Sequence, residues 1–188
     1  MPDIDARDRL PQRIAVAGVS GSGKSTLARH LSTLLQYPYV ELDSLYHGAD
    51  WRPRTGFESD VAAVLEAPRW VTEWQYTAVR DRITARADLL VWLDLPTPLV
   101  MVRVIRRTLV RSVRREVLWN GNLEPPLRTF WTDRNHIVRW AFRARNSIRA
   151  LIPLTRAAHP DLTIVRLSSR REVDRWVEDL VASMTRPQ

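Results

Sequence analysis

The stretch Gly18-Val19-Ser20-Gly21-Ser22-Gly23-Lys24-Ser25-Thr26 constrains the fold of this chain more than any other. It fits the pattern G-x-x-x-x-G-K-[ST], and its flanks fit as well. The apolar run Ile14 to Ala17 before it reads as a buried strand, and Leu27-Ala28-Arg29-His30-Leu31 after it has helical spacing. Strand, glycine loop and helix in that order is the context in which the pattern closes around a polyphosphate. The loop turns its backbone N–H groups inward, and the helix N-terminus adds partial positive charge. The phosphate-binding set expected from the motif is therefore Gly18, Ser20, Gly21, Ser22, Gly23, Lys24, Ser25 and Thr26. Lys24 would reach the β- and γ-phosphates of ATP, and Ser25 would hold magnesium. Lys24 is the chain's only lysine, with arginine at every other position of that charge type. A compact ammonium with rotatable donors fits a phosphate cradle better than a planar guanidinium.

At 188 residues the chain has the length of one domain with room for a sizeable core. Neither an internal repeat nor a second domain is expected within 1–188, and residues 1–11 read as a mobile lead-in. The first ten residues carry acids and arginines in place of an apolar segment, and no uncharged run could span a bilayer. No signal peptide and no membrane partner are expected, and a cytoplasmic location is the simplest expectation. The absence of cysteine excludes disulfides, thiolate metal sites and thiol nucleophiles. A formal charge of +8 raises nucleic acid as a partner. That charge is spread over many segments without a basic tail, so nucleic acid ranks behind a small-molecule phosphate acceptor.

Hydrophobic runs alternate with helical spacing along the chain. Strands are expected at 13–17, 37–42, 70–74, 89–94 and 162–167. Helices are expected at 23–35, 57–66, 76–86, from 99 onward, and from Ser168 or Ser169 as N-cap to about 184. Such alternation implies an α/β fold with a parallel sheet covered on both faces. Ligands of these sheets gather at the carboxyl ends of the strands, where the P-loop, Asp43, Glu73 and Asp94 all fall. The Gly-, Pro-, Trp- and Arg-rich segment His47 to Gly56 reads as a functional loop at that edge. Residues from about 110 to 135, with Trp119-Asn120-Gly121-Asn122, Pro125-Pro126 and Trp131, read as an inserted lid.

On the helix that begins near Leu99, Arg103, Arg107, Arg111 and Arg114 share one sector. Val102, Ile105, Leu109 and Val113 form a separate apolar stripe, expected to pack. Arginines on such an element can close on transferring phosphate, and Arg103 and Arg107 are the candidates. For any single arginine, a solvated cationic face is the competing reading. Asp43 is placed to orient or deprotonate an acceptor hydroxyl. Two acids compete for the metal: Glu73, ending the third strand, and Asp94, ending the most hydrophobic run. His47, His136 and His159 share no metal-ligand spacing and read as surface or loop residues. Trp51, Trp119 and Trp131 lie in loops where a base could stack, although packing is the commoner role.

These residues resemble the small P-loop kinases of the adenylate-kinase-like group. Within that group they are most similar to the bacterial branch labelled adenylate kinase-related or DNA topology modulation protein. The matching pieces are Gly18 to Thr26, Glu41-Leu42-Asp43-Ser44-Leu45-Tyr46-His47, Trp70 to Tyr76, Val91 to Pro96, the arginine helix and Trp119-Asn120-Gly121-Asn122, spanning Arg13 to Val177. The resemblance implies a P-loop NTPase three-layer fold with a five-stranded parallel sheet and an arginine-rich helical lid. It also implies ATP and magnesium, with a small acceptor between core and lid, and it ranks Glu73 above Asp94 for the metal. One stretch departs from the branch. In place of an Asp-Gly-Asn-Tyr-like turn stands Glu73-Trp74-Gln75-Tyr76, and the tryptophan is expected where backbone would approach the acceptor. The leading expectation is an ATP-dependent phosphotransferase acting on a nucleoside or nucleotide. The alternative is a nucleotide-dependent nucleic-acid-binding ATPase, whose binding salt would weaken steeply.

Overall fold

The computed structural model describes residues 10–114, 119–122 and 137–185. Five parallel strands form one sheet: β1 (Arg13–Gly18), β2 (Tyr39–Val40), β3 (Trp70–Glu73), β4 (Leu89–Leu93) and β5 (Thr163–Leu167). Their order is β2-β3-β1-β4-β5. Parallel pairing needs crossovers, and helices supply them: α1 (Lys24–Leu35), α2 (Leu42–Tyr46), α3 (Phe57–Leu65), α4 (Thr77–Arg86), α5 (Thr97–Arg114) and α6 (Ile137–Ala158), with α7 (Arg170–Thr185) closing the chain. The central strand β1 sets Val16 opposite Glu73 of β3 and Gly18 opposite Leu93 of β4. This register brings the P-loop and the ends of β3 and β4 to one edge.

Strand alternation along β1 sorts the two faces. Ile14 and Val16 join Leu27 and Leu31 of α1 with Trp176 and Leu180 of α7. Ala15 and Ala17 point the other way, into a cluster with Val61 of α3, Ile83 of α4 and Ile152 of α6. The small alanines leave volume on that face for Trp70 and Trp74, both buried. The expected α/β three-layer arrangement with a five-stranded parallel sheet is observed. A third cluster, Val19, Leu95, Val100 and Val104, seats α5 on the carboxyl end of the sheet.

Three elements depart from expectation. The second strand is two residues long, and the chain turns at Glu41 into α2, so Asp43 lies in the first turn of a helix. This strand is at the sheet edge with one neighbour, and burial of Leu42 draws the chain inward. On α5 the buried face is Val100, Val104 and Thr108, whereas Val102, Ile105 and Leu109 are exposed. Seating against the P-loop, rather than the strongest apolar stripe, selects the packed side. Helix α6 carries Pro153 inside it; proline lacks a donor and clashes one turn back, which masks the helix in the sequence. Residues 1–9 of the expected lead-in, 115–118 and 123–135 of the expected lid with Trp131, and His136 lie outside the described residues. Leu10, at the end of the lead-in, packs against the core.

Asp94 follows β4 and anchors two further elements. Its carboxylate accepts from Arg149 of α6 (Nε 2.8 Å, Nη2 3.1 Å) and from Arg166 of β5 (Nε 3.0 Å, Nη2 2.5 Å). Burial pushes this carboxyl up, but the hydrogen bonds and charges of the two arginines prevail and hold it below the usual range. Asp94→Asn is expected to destabilise the fold by about 2 kcal/mol. Because the folded pKa is depressed, the stabilisation is complete above about pH 4 and fades as pH falls through the folded value. Urea unfolding across acidic pH should show that loss in the wild type and a reduced slope in the variant.

Candidate active site

Gly23, immediately before α1, has φ +97°, a conformation strained for any side-chain-bearing residue. Gly21, at φ +80°, also permits a close approach: a Cβ there would lie 2.9 Å from the Val100 carbonyl oxygen of α5. With α5 pressed on the loop, Arg107 Nη2 donates to Ser20 Oγ at 2.8 Å. Ser22 is buried and its N–H donates to the Val19 carbonyl at 3.1 Å, while Thr26 is exposed. One turn from Arg107, the Arg111 guanidinium lies 5.9 Å from the Trp119 ring centre. Arg103 shows no described hydrogen bond or ion pair.

Beneath the loop, the Ser25 hydroxyl donates to Glu73 Oε1. Glu73 is 1% exposed. Burial pushes its carboxyl up, while Lys24 and the Ser25 hydrogen bond pull it down. Burial likewise pushes the Lys24 ammonium down; Glu73 and Asp43 counter this, and Arg107 adds to it. Each group is thus the other's main counter-charge, with Glu73 buried and Lys24 half-buried. The Ser25 hydroxyl and Glu73 carboxylate are adjacent hard oxygen donors, the type that magnesium takes.

Asp43 is held from the turn after β3. Gln75 Nε2 donates to Asp43 Oδ1 at 2.8 Å and to Glu73 Oε2 at 3.0 Å. The Tyr76 hydroxyl donates to the same Asp43 Oδ1 at 2.6 Å. Both donors fall on one oxygen, and Oδ2 has no described donor. Tyr76 itself has φ +59°, a strained backbone for a non-glycine residue. Its ring stacks on Tyr46 at 4.1 Å, and its hydroxyl lies 3.3 Å from His47 Nε2. His47 is half-buried, which lowers its pKa and keeps the imidazole neutral at pH 7. Instead of standing at the surface, it sits between Trp51 and Trp119, at ring separations of 5.0 and 6.0 Å.

The structure therefore gathers Ser20, Lys24, Ser25, Asp43, Glu73 and Arg107, and leaves Asp94 engaged with two arginines. Sequence reading gave no role to Gln75 or to the Tyr76 hydroxyl. Their signal is position alone, directly after a strand end that carries a candidate acid. Trp74 corrects an expectation. Alternation at the end of β3 turns it away from Glu73, and its ring is buried, with Nε1 donating to Thr84 Oγ1 at 2.8 Å and Arg80 at 4.9 Å over the ring. It fills the core rather than the acceptor side.

No family model matches the sequence, and no curated protein does. Solved structures do match. A gluconokinase from Sinorhizobium meliloti 1021 is 18% identical, with 94% of each chain covered and a TM-score of 0.52. A shikimate kinase from Bacteroides thetaiotaomicron is 14% identical, covering 93% of this chain and 99% of that one, with a TM-score of 0.52. The fold is that of small P-loop kinases. At these identities the likeness establishes architecture, and the roles of individual residues rest on the contacts above.

Trp74→Ala is expected to lose about 3–5 kcal/mol by leaving a large cavity. Trp74→Phe, which keeps a ring and loses the bond to Thr84, should lose less; urea unfolding of both variants checks the order.

Proposed function

We propose that this protein transfers the γ-phosphoryl group of ATP to a hydroxyl of a small molecule, a nucleoside or nucleotide, in the manner of the adenylate-kinase-like group. The observation that carries the reading is Asp43, with one carboxylate oxygen held by Gln75 and Tyr76 and the other without a described donor, near the half-buried Lys24 and the buried Glu73. The loop N–H groups and Lys24 would bind the β- and γ-phosphates, and Ser25 with Glu73 would hold magnesium. Magnesium, when bound, offsets phosphate charge. Asp43 Oδ2 would take the proton of the acceptor hydroxyl as that oxygen bonds to the γ-phosphorus and the bond from phosphorus to the β,γ-bridging oxygen breaks, releasing ADP. Its partner oxygen, fixed twice, keeps the carboxylate from turning away. Arg107, already on Ser20, would add positive charge at the transferring group, with Arg103 in reserve one turn earlier.

The acceptor class is supported by the cluster of rings formed by His47, Trp51, Tyr76 and Trp119, of which Tyr76 touches Asp43. A planar base stacks on such surfaces for about 1–3 kcal/mol. The two similar structures bear the names of other small-molecule kinases. The nucleic-acid reading gains no support, because the exposed side of α5 mixes Arg106 with Val102, Ile105 and Leu109. Among the described residues, no helix is long and apolar enough to cross a membrane.

Labelled ATP and magnesium, offered with nucleosides, nucleoside monophosphates and small hydroxylated metabolites, should label one acceptor class. Lys24→Ala should lower transfer by at least about a hundredfold. Circular dichroism should report an intact fold in that variant. Tyr76→Phe should lower turnover by about tenfold with its melting temperature retained. Wild-type transfer by Lys24→Ala, or phosphate release indifferent to every acceptor, would overturn the proposal.

A further inference from the structure

The turn Trp119-Asn120-Gly121-Asn122 reaches back onto the loop that carries His47. Asn122 is buried, 5% exposed. Its Oδ1 accepts from the Trp51 N–H at 3.0 Å, and its Nδ2 donates to the carbonyls of Gly48 and Trp119, each at 2.8 Å. Asn120 Nδ2 donates to the His47 carbonyl and, at 3.4 Å, to that of Ser44. The loop so held contains two non-glycine residues with positive φ, Asp50 at +54° and Trp51 at +59°. Such conformations persist where the surroundings impose them, and here two asparagine amides bond the backbone just before the strained pair and at Trp51 itself.

A chain of contacts leads from this turn to both halves of the site. Toward the acceptor side, the Trp119 ring stacks on His47, whose Nε2 faces the Tyr76 hydroxyl that donates to Asp43. Toward the P-loop, Arg111 lies over the Trp119 ring, and Arg107, one helical turn earlier, bonds Ser20. An asparagine amide can accept from one backbone group while donating to others, a combination that an aspartate lacks.

We propose that Asn120 and Asn122 are positioning residues that lock the strained 47–54 loop and couple the state of the P-loop to the His47–Tyr76–Asp43 side of the site. The coupling half rests on the reading of the P-loop as a nucleotide site; the tether itself does not. Coupling between two sites is reciprocal, so whatever orders the P-loop and α5 should also order this loop.

The test is hydrogen exchange on the full chain, with and without magnesium and a non-hydrolysable ATP analogue. The proteins are the wild type, Asn122→Asp, and the double variant Asn120→Ala with Asn122→Ala. Without nucleotide, amides of 47–54 should exchange about tenfold faster in the double variant, with β1 and α1 as protected as before. Asn122→Asp keeps the acceptor for Trp51 and loses the donor to Gly48, so it should fall between. At saturating analogue, exchange of 47–54 should slow in the wild type and stay unslowed in the double variant. Equal loop exchange in wild type and double variant would overturn the tether, and so would loss of protection throughout β1 and α1. Equal slowing by the analogue in both would overturn the coupling. If the analogue does not bind the wild type, the nucleotide reading and the coupling fall together, and the nucleotide-free comparison still decides the tether.

Discussion

The Glu73 carboxylate is buried beneath the P-loop, and much of this site follows from that. A buried carboxylate alone is strongly disfavoured; the charge of Lys24 and the hydrogen bond from Ser25 support its charged form. The sheet makes this placement by setting Glu73 opposite Val16, two residues before the P-loop begins. Once the carboxylate is there, its oxygens need partners. Ser25 takes Oε1 and Gln75 takes Oε2, and the second hydrogen of the Gln75 amide reaches Asp43. In a place poor in water, such a network is stiff, because each bond broken leaves an unsatisfied polar atom. The orientation of Asp43 is thus tied to the same buried carboxylate that accepts from Ser25 of the P-loop.

The contrast between Glu73 and Asp94 shows how little the identity of an acid says about its role. Both stand at or just past the ends of buried strands that flank β1. Asp94 meets two guanidinium groups, one from α6 and one from β5, and its carboxyl is held low. It binds elements together. Glu73 meets a lysine and a serine hydroxyl in a drier setting, and its carboxyl is pushed up. It bonds the first turn of the helix that follows the P-loop. Neighbouring elements, distant in sequence, decide the difference.

Helix α5 joins these parts because it lies directly on the P-loop. Gly21 gives it room, Val100 and Val104 seat it, and Arg107 reaches Ser20. That seating turns the helix so that its more obvious apolar stripe faces outward. A face chosen by contact with a loop, rather than by the strongest hydrophobic pattern, is hard to read from periodicity, since the pattern only tells which sides differ.

The P-loop with its strand and helix, the alternation that makes an α/β sheet, and the candidates Lys24, Ser25, Asp43, Arg103 and Arg107, with Glu73 and Asp94 as competing acids, are legible in the sequence itself. These features rest on short-range physics: glycines that permit positive φ, a helix N-terminus behind a strand, and apolar spacing within one element. What only the tertiary structure decided are relations between distant residues. Gln75 meets Asp43 across 32 positions, Ser25 meets Glu73 across 48, and Arg166 meets Asp94 across 72. No local pattern encodes such pairs. The inward turn of Trp74, the half-buried His47 and the grip of Asn122 on Trp51 belong to the same class, because each depends on which face the packed elements leave open.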